Sequence, residues 1–200
     1  MIEFILATAN PHKAAEMRAV LDTLGIGVQA RPVHVPEVEE TSDTLEGNAL
    51  LKARALCEAT GVASIADDTG LFVDALDGRP GVYSARYAGG SATYEQNVEK
   101  LLDELRGVGA ARRTARFRTV VAVAFANGGH LVVDGVLEGV ITETPRGSFG
   151  FGYDSVFEPL GGSGRTLAEL SAQEKNVLSH RSRALVAIAE ALRQNRSLHE

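Results

Sequence analysis

The chain has 200 residues, is 44% hydrophobic and 23% charged, and carries a formal net charge of −6. That length supports one full-sized core, here expected as a single bilobed domain over residues 1–200. The acidic balance argues against a nucleic-acid binder, which needs a basic face to neutralise phosphates, so any phosphorylated ligand is small and held by a few placed cations and metal.

Other classes fall to local features. The apolar run from Val120 to Ala126 is too short for a bilayer span, which takes roughly 20 residues. Phe4-Ile5-Leu6-Ala7 is too short for a signal peptide and has no basic region before it. A lone cysteine, Cys57, excludes an internal disulfide framework and a cysteine-built metal site, and its helical context reads as core. A cytoplasmic location without membrane partners is expected.

Taken in order, Ile2–Leu6 reads as a buried first strand. Asn10 can cap a helix with Pro11 at its first position, Ala14, Met17, Leu21 and Leu24 form the apolar face, and Gly25 stops it. Strand, polar turn and helix N-terminus together make an anion site. Lys13 in the first turn opposes the helix dipole; it either serves an incoming anion or is a solvated lysine. The segment 28–38 reads as a strand broken by Pro32 and Pro36. Glu37, Glu39, Glu40 and Asp43 form an acidic loop, followed by a helix from Leu45 to about Thr60 capped by Thr44 or Asp43 and ended by Gly61. Asn48 and Lys52, four apart, share a face of that helix.

Next, an apolar strand from Val62 to Ala66 is expected to end at Asp67-Asp68-Thr69-Gly70. Adjacent carboxylates repel and cost desolvation energy. Either a hard divalent cation such as Mg²⁺ compensates them or they form a solvated turn. A turn-rich loop covers 78–90, and Thr93-Tyr94-Glu95-Gln96 is a capping box opening a helix with Val98, Leu101, Leu102 and Leu105 inward. Strands over 115–126 and 130–142 flank Asn127-Gly128-Gly129 as a hairpin, so the sheet cannot be wholly parallel. Residues 145–154 interleave glycines with Phe149, Phe151 and Tyr153, which suits either a planar ring lying on backbone or core packing. A short strand at 155–159, a helical turn from Ser171 carrying Lys175, and a last helix preceded by Ser179-His180-Arg181 complete the chain. Cations are disfavoured at that helix N-terminus, so His180 and Arg181 either await an anionic or carbonyl-bearing ligand or are a surface pair.

Together these groups fit one chemistry. Carboxylates at Glu40, Asp67 and Asp68 could hold a metal, Lys13, Lys52, Lys175 and Arg181 a phosphate, and the aromatic loop a base. No Gly-x-x-x-x-Gly-Lys loop or His-Glu-x-x-His motif is present, and Asp67-Asp68-Thr69 lacks the spacer of aspartyl-phosphate phosphatases.

From Phe4 to about Leu192 the chain resembles the inosine triphosphate pyrophosphatase family. The resemblance rests on Thr8-Ala9-Asn10-x-x-Lys13, Glu46-x-Asn48-Ala49-x-x-Lys52-Ala53, Ala66-Asp67-Asp68-Thr69-Gly70-Leu71, Pro80-Gly81-Val82-Tyr83-Ser84-Ala85-Arg86-Tyr87, Phe151-Gly152-Tyr153-Asp154 and Leu178-Ser179-His180-Arg181. Ala9 stands where glycine is usual, and Thr69 where bacterial members often have serine. The resemblance implies an α/β fold with a long curved mixed sheet flanked by helices, and two lobes with an active-site cleft between them. It implies a homodimer, one Mg²⁺ per subunit, and cleavage of non-standard purine nucleoside triphosphates such as ITP, dITP and XTP to the monophosphate and pyrophosphate. By the same resemblance Asp68 is general base and metal ligand, and Glu40 the second ligand. Thr8, Ala9, Asn10, Pro11, His12 and Lys13 hold phosphates, while Thr69 and Lys175 touch the substrate. Phe151, Gly152, Tyr153, Asp154, His180 and Arg181 form the base pocket, with Asp67, Asn48 and Lys52 in support. A pyrophosphatase of modified pyrimidine nucleotides on a similar fold, and a catalytically silent nucleotide-binding module, are the competing expectations.

Overall fold

Local capping chemistry sets most element boundaries in the computed structural model, which describes residues 3–195. Strand β1 (Phe4–Leu6) leads into helix α1 (Pro11–Thr23); Ile2, expected to open that strand, lies outside the described residues. The Asn10 side chain caps α1 by accepting from the backbone N–H groups of His12 at 3.0 Å and Lys13 at 3.3 Å. The next strand, β2, is only Val28–Gln29. It ends before Pro32 and Pro36, which cannot donate to a ladder. Helix α2 (Leu45–Thr60) starts where the Thr44 hydroxyl accepts from Gly47 N–H at 3.1 Å, and stops at Gly61 in the left-handed region, φ 69°.

Strand β3 (Ser64–Val73) corrects the expected strand end: it runs straight through Asp67 and Asp68. Both carboxylates find cations within the fold, so neither needs a solvated turn. Further along β3, Gly70 permits close approach of β4 (Pro80–Gly81), since a Cβ there would lie 2.6 Å from the Gly81 carbonyl oxygen. Helix α3 (Tyr94–Glu104) opens with the Thr93–Gln96 capping box. Strands β5 (Thr114–Ala124) and β6 (His130–Ile141) are sheet neighbours, joined by a turn in which Phe125 N–H donates to Gly129 O at 2.9 Å. The short β7 (Phe157–Pro159) pairs antiparallel with β6. Helix α4 (Ala172–Leu178) begins at a Ser171–Glu174 capping box, and α5 (His180–Gln194) closes the described chain, so His180 and Arg181 lie inside that helix rather than before it.

The strands form one mixed sheet in the order β2-β1-β3-β5-β6-β7, with β4 on β3; β1 pairs parallel with β2 and β3. This is the expected mixed α/β architecture, with five flanking α-helices among the described residues. Two compact units divide the chain. The first holds residues 3–68, 119–135 and 181–195 of the described chain, and the second holds 69–118 and 136–180. The first core gathers Phe4, Leu6, Met17, Leu21, Ile65, Val121, Val123, Leu185 and Ile188. Met17 and Leu21 are four apart on α1 and share its buried face. The second core gathers Leu71, Val73, Leu101, Leu105, Phe117, Ile141, Phe157 and Leu167. Each fully buried leucine contributes roughly 1.5–3 kcal/mol of burial energy. Among the described residues, no helix is long and apolar enough to cross a membrane.

Candidate active site

Consecutive residues of a strand point to opposite faces, and that geometry separates the acidic pair. In the first unit, the Asp67 carboxylate is buried and its Oδ2 lies 3.2 Å from Lys13 Nζ and 3.2 Å from Arg181 Nε. Arg181 also donates from Nη1 to Glu16. Asp68 faces other partners. Its Oδ1 accepts from Lys52 Nζ at 3.1 Å, its Oδ2 from Asn48 Nδ2 at 3.3 Å, and Lys52 Nζ also donates to Glu40 Oε1 at 2.9 Å. The two aspartates therefore belong to two ion-pair systems and do not form one anionic patch.

Their titration diverges accordingly. Burial alone would raise the Asp67 carboxyl, but Lys13, Arg181 and Lys52 outweigh it and hold the group well below the usual carboxylate range. At Asp68, burial wins: the carboxyl is raised, with Glu40 adding to the effect and Lys52 and Lys13 opposing it. Neighbouring carboxyls pushed in opposite directions are a mark of divided acid–base labour. Burial works against the Lys52 ammonium, yet Asp68, Asp67 and Glu40 raise its pKa and keep it cationic.

No group of three or more His, Cys, Asp or Glu side chains is placed to hold a metal among the described residues. The donor set still fits a hard cation. Glu40 and Asp68 converge on one positive centre, the Lys52 ammonium. Two carboxylates, completed by water and phosphate oxygens, are what Mg²⁺ commonly takes. Asn48 ties the two carboxylate-bearing segments together, because its Oδ1 accepts from Ser42 N–H at 2.9 Å while its Nδ2 donates to Asp68. Glu40 sits in that same loop. Asn48→Ala is therefore expected to lower kcat by about 10- to 100-fold, the usual effect of losing an outer-shell partner; steady-state kinetics with the melting temperature as control measures it.

Beside this cluster, α1 presents its N-terminal turn. Thr8 Oγ1 accepts from Asn10 N–H at 3.2 Å, and Ala9, Pro11 and His12 are exposed, so the added methyl of Ala9 meets solvent. Lys13 stands in the first turn with Asp67 as its own counter-ion, which gives a cation near a helix N-terminus a reason within the fold.

The second unit carries the aromatic loop. Asp154 Oδ2 accepts from Phe151 N–H at 2.9 Å and also from Lys175 Nζ, and that ammonium lies 4.8 Å from the Phe151 ring centre. The turn needs glycine at Gly150, where φ is +74° and a Cβ would lie 2.1 Å from Asp154 Oδ2. Phe151 and Tyr94 form part of a cavity of about 570 Å³, with Phe149, Val98 and Leu102 also on its walls. Tyr153 packs in the core and donates its hydroxyl to Ser84 O at 2.9 Å. His180 stacks on Phe117 at 4.5 Å between ring centres, interplanar angle 15°. Thr69, half-buried, follows Asp68 directly on β3.

In its own unit each side thus assembles a group: Glu40, Asn48, Lys52 and Asp68 with Lys13, Asp67 and Arg181 in the first, and Phe151, Asp154 and Lys175 in the second. The counter-charge that Arg181 was expected to draw from a ligand comes from Asp67 and Glu16. Glu16 escaped the sequence reading. Its only signal there is its position three residues after Lys13, on the same face of α1.

A model of the Ham1 family matches residues 4–191. A dITP/XTP pyrophosphatase of Chlorobaculum tepidum is 48% identical, covering 96% of this chain and 92% of its own length. Another, from Bacillus subtilis, is 45% identical and covers 96% of this chain and 98% of its own. The solved structure of a HAM1 protein from Coxiella burnetii superposes with a TM-score of 0.86 at 41% identity, covering 97% of this chain and all of that one.

Proposed function

Because the chain belongs to the Ham1 family, we propose that it hydrolyses non-standard purine nucleoside triphosphates, ITP, dITP and XTP, to the monophosphate and pyrophosphate. The observation that carries this reading is the convergence of Glu40 and Asp68 on one positive centre, with Lys13 of the first turn of α1 in the same unit. A nucleotide pyrophosphatase generally needs a divalent metal, and here the reading takes Mg²⁺, one per subunit, held by Glu40 and Asp68. Bound there, it would offset the charge of the triphosphate and of the departing pyrophosphate.

The chain's own groups do the rest. Thr8 to Lys13 hold the phosphates, with the Lys13 ammonium supplying the counter-charge in the first turn of α1. Asp68 accepts the proton of the attacking water while the bond linking the α and β phosphates breaks, so one water enters and monophosphate and pyrophosphate leave. A carboxylate within hydrogen-bond reach of that water can take its proton. Thr69 and Lys175 touch the substrate, and Phe151, Gly152, Tyr153, Asp154 and His180 surround the base. With Arg181 engaged by Asp67 and Glu16, recognition of the 6-oxo group is assigned to the Phe151–Asp154 turn. Adenine presents an amino group where a 6-oxo purine presents an acceptor, and a buried donor left unpaired can cost about 10⁴-fold in selectivity. The reading also takes the enzyme as cytoplasmic and as a homodimer; light scattering of the purified protein tests the homodimer.

A triphosphate panel with Mg²⁺ is the deciding experiment. dITP, ITP and XTP should give monophosphate plus pyrophosphate, and ATP should turn over far more slowly. Orthophosphate as the first product, or ATP turned over equally fast, would overturn the assignment; preferential cleavage of modified pyrimidine triphosphates would replace it.

A further inference from the structure

Glu16 lies one turn beyond Lys13 on α1, and its carboxylate accepts from Arg181 Nη1. Arg181 is 2% exposed, so its guanidinium has given up nearly all of its water. The same Asp67 oxygen, Oδ2, serves both Arg181 Nε and Lys13 Nζ at 3.2 Å. Four charges thus form a chain, Glu16–Arg181–Asp67–Lys13, that sums to zero. The inner pair is closed off, while the side chains of Glu16 and Lys13, each 17% exposed, reach the solvent edge.

We propose that Glu16 is a positioning residue for polyphosphate binding, acting through Arg181 and Asp67 to hold the Lys13 ammonium in the first turn of α1. A guanidinium seeks two parallel bonds to one carboxylate when it can have them. Without the Glu16 charge, Arg181 would turn its second nitrogen onto Asp67 and draw that carboxylate away from Lys13. The chain would also carry an uncompensated positive charge in a buried setting, which is costly. Glu16 therefore draws off half of Arg181 and leaves Asp67 shared. This inference rests on the function proposed above in taking Lys13 as a phosphate ligand.

Binding of inorganic tripolyphosphate by calorimetry, with kcat and KM on dITP, tests it in a double-mutant cycle. Glu16→Gln should weaken tripolyphosphate binding and raise KM about tenfold, the scale of one charge-assisted hydrogen bond, with kcat within about twofold of wild type. Lys13→Met should weaken binding at least as much, and adding Glu16→Gln to it should cost less than about twofold more, because a residue acting through Lys13 has nothing left to position. Unchanged tripolyphosphate affinity in Glu16→Gln, or the same loss in both backgrounds, overturns the proposal. Melting curves accompany each variant; if Glu16→Gln does not fold, Glu16→Asp runs the same cycle. A wild-type protein that binds tripolyphosphate but leaves dITP intact refutes the pyrophosphatase reading alone, and the cycle is still read on binding.

Discussion

Asp68→Asn is expected to lower kcat on dITP by about 10³-fold, within the range that a positioned general base contributes. The substitution removes the proposed proton acceptor and one of the two carboxylates proposed to face the metal together. It keeps the shape of the side chain, so the fold should survive. One local cost is foreseeable. Asp68 accepts on both oxygens, from Lys52 and from Asn48, whereas an amide would turn a donor toward one of them. A donor facing a donor in a buried place costs roughly 1–3 kcal/mol, which a urea titration would register alongside the kinetics. Turnover within tenfold of wild type would remove Asp68 as the base.

The second large effect concerns stability. Asp67→Asn takes away the carboxylate shared by Lys13 and Arg181, leaving Lys13 without its counter-ion and Arg181 with the Glu16 carboxylate in place of two. Breaking a buried pair from one side costs about 3–5 kcal/mol, a large part of the roughly 5–15 kcal/mol that holds a domain together. Equal urea midpoints for variant and wild type at pH 7.5 would refute this. The pH dependence has a definite sign. The Asp67 carboxyl is depressed in the folded state, so its contribution is present above the unfolded value near ~3.9 and is lost as pH falls below it. Wild type should therefore lose stability on acidification below about pH 4, and Asp67→Asn should flatten that limb. Asp68 acts oppositely. Its raised carboxyl favours the fold at low pH, and that contribution fades as pH rises through the folded value, so it offsets part of the acid limb without removing it.

How legible the site was depended on the range of the interaction. Asn10, Thr44, Thr93 and Ser171 each cap a helix through side-chain contacts two or three residues away, and sequence spacing alone shows such contacts. Asn48 and Lys52 could be placed on one helix face for the same reason. Their convergence on Asp68, 16 and 20 residues later in the chain, could not be seen in spacing. The pairing of Arg181 with Glu16 spans 165 positions and left no local trace.

The acidic stretch in β3 shows where the division lies. Composition and motif order determined that this is a mixed α/β chain of the Ham1 family, with its carboxylates, lysines and aromatic loop in a known arrangement along the chain. Read locally, Asp67 and Asp68 looked like one repelling pair at a strand end. Only tertiary structure decided that the strand continues, that its alternation turns the two carboxylates apart, and which cations meet each of them. The physical reason is that a carboxylate's cost and titration depend on burial and on the charges within a few ångströms. Those neighbours come from α1, α2 and α5, which the chain brings together only when it folds.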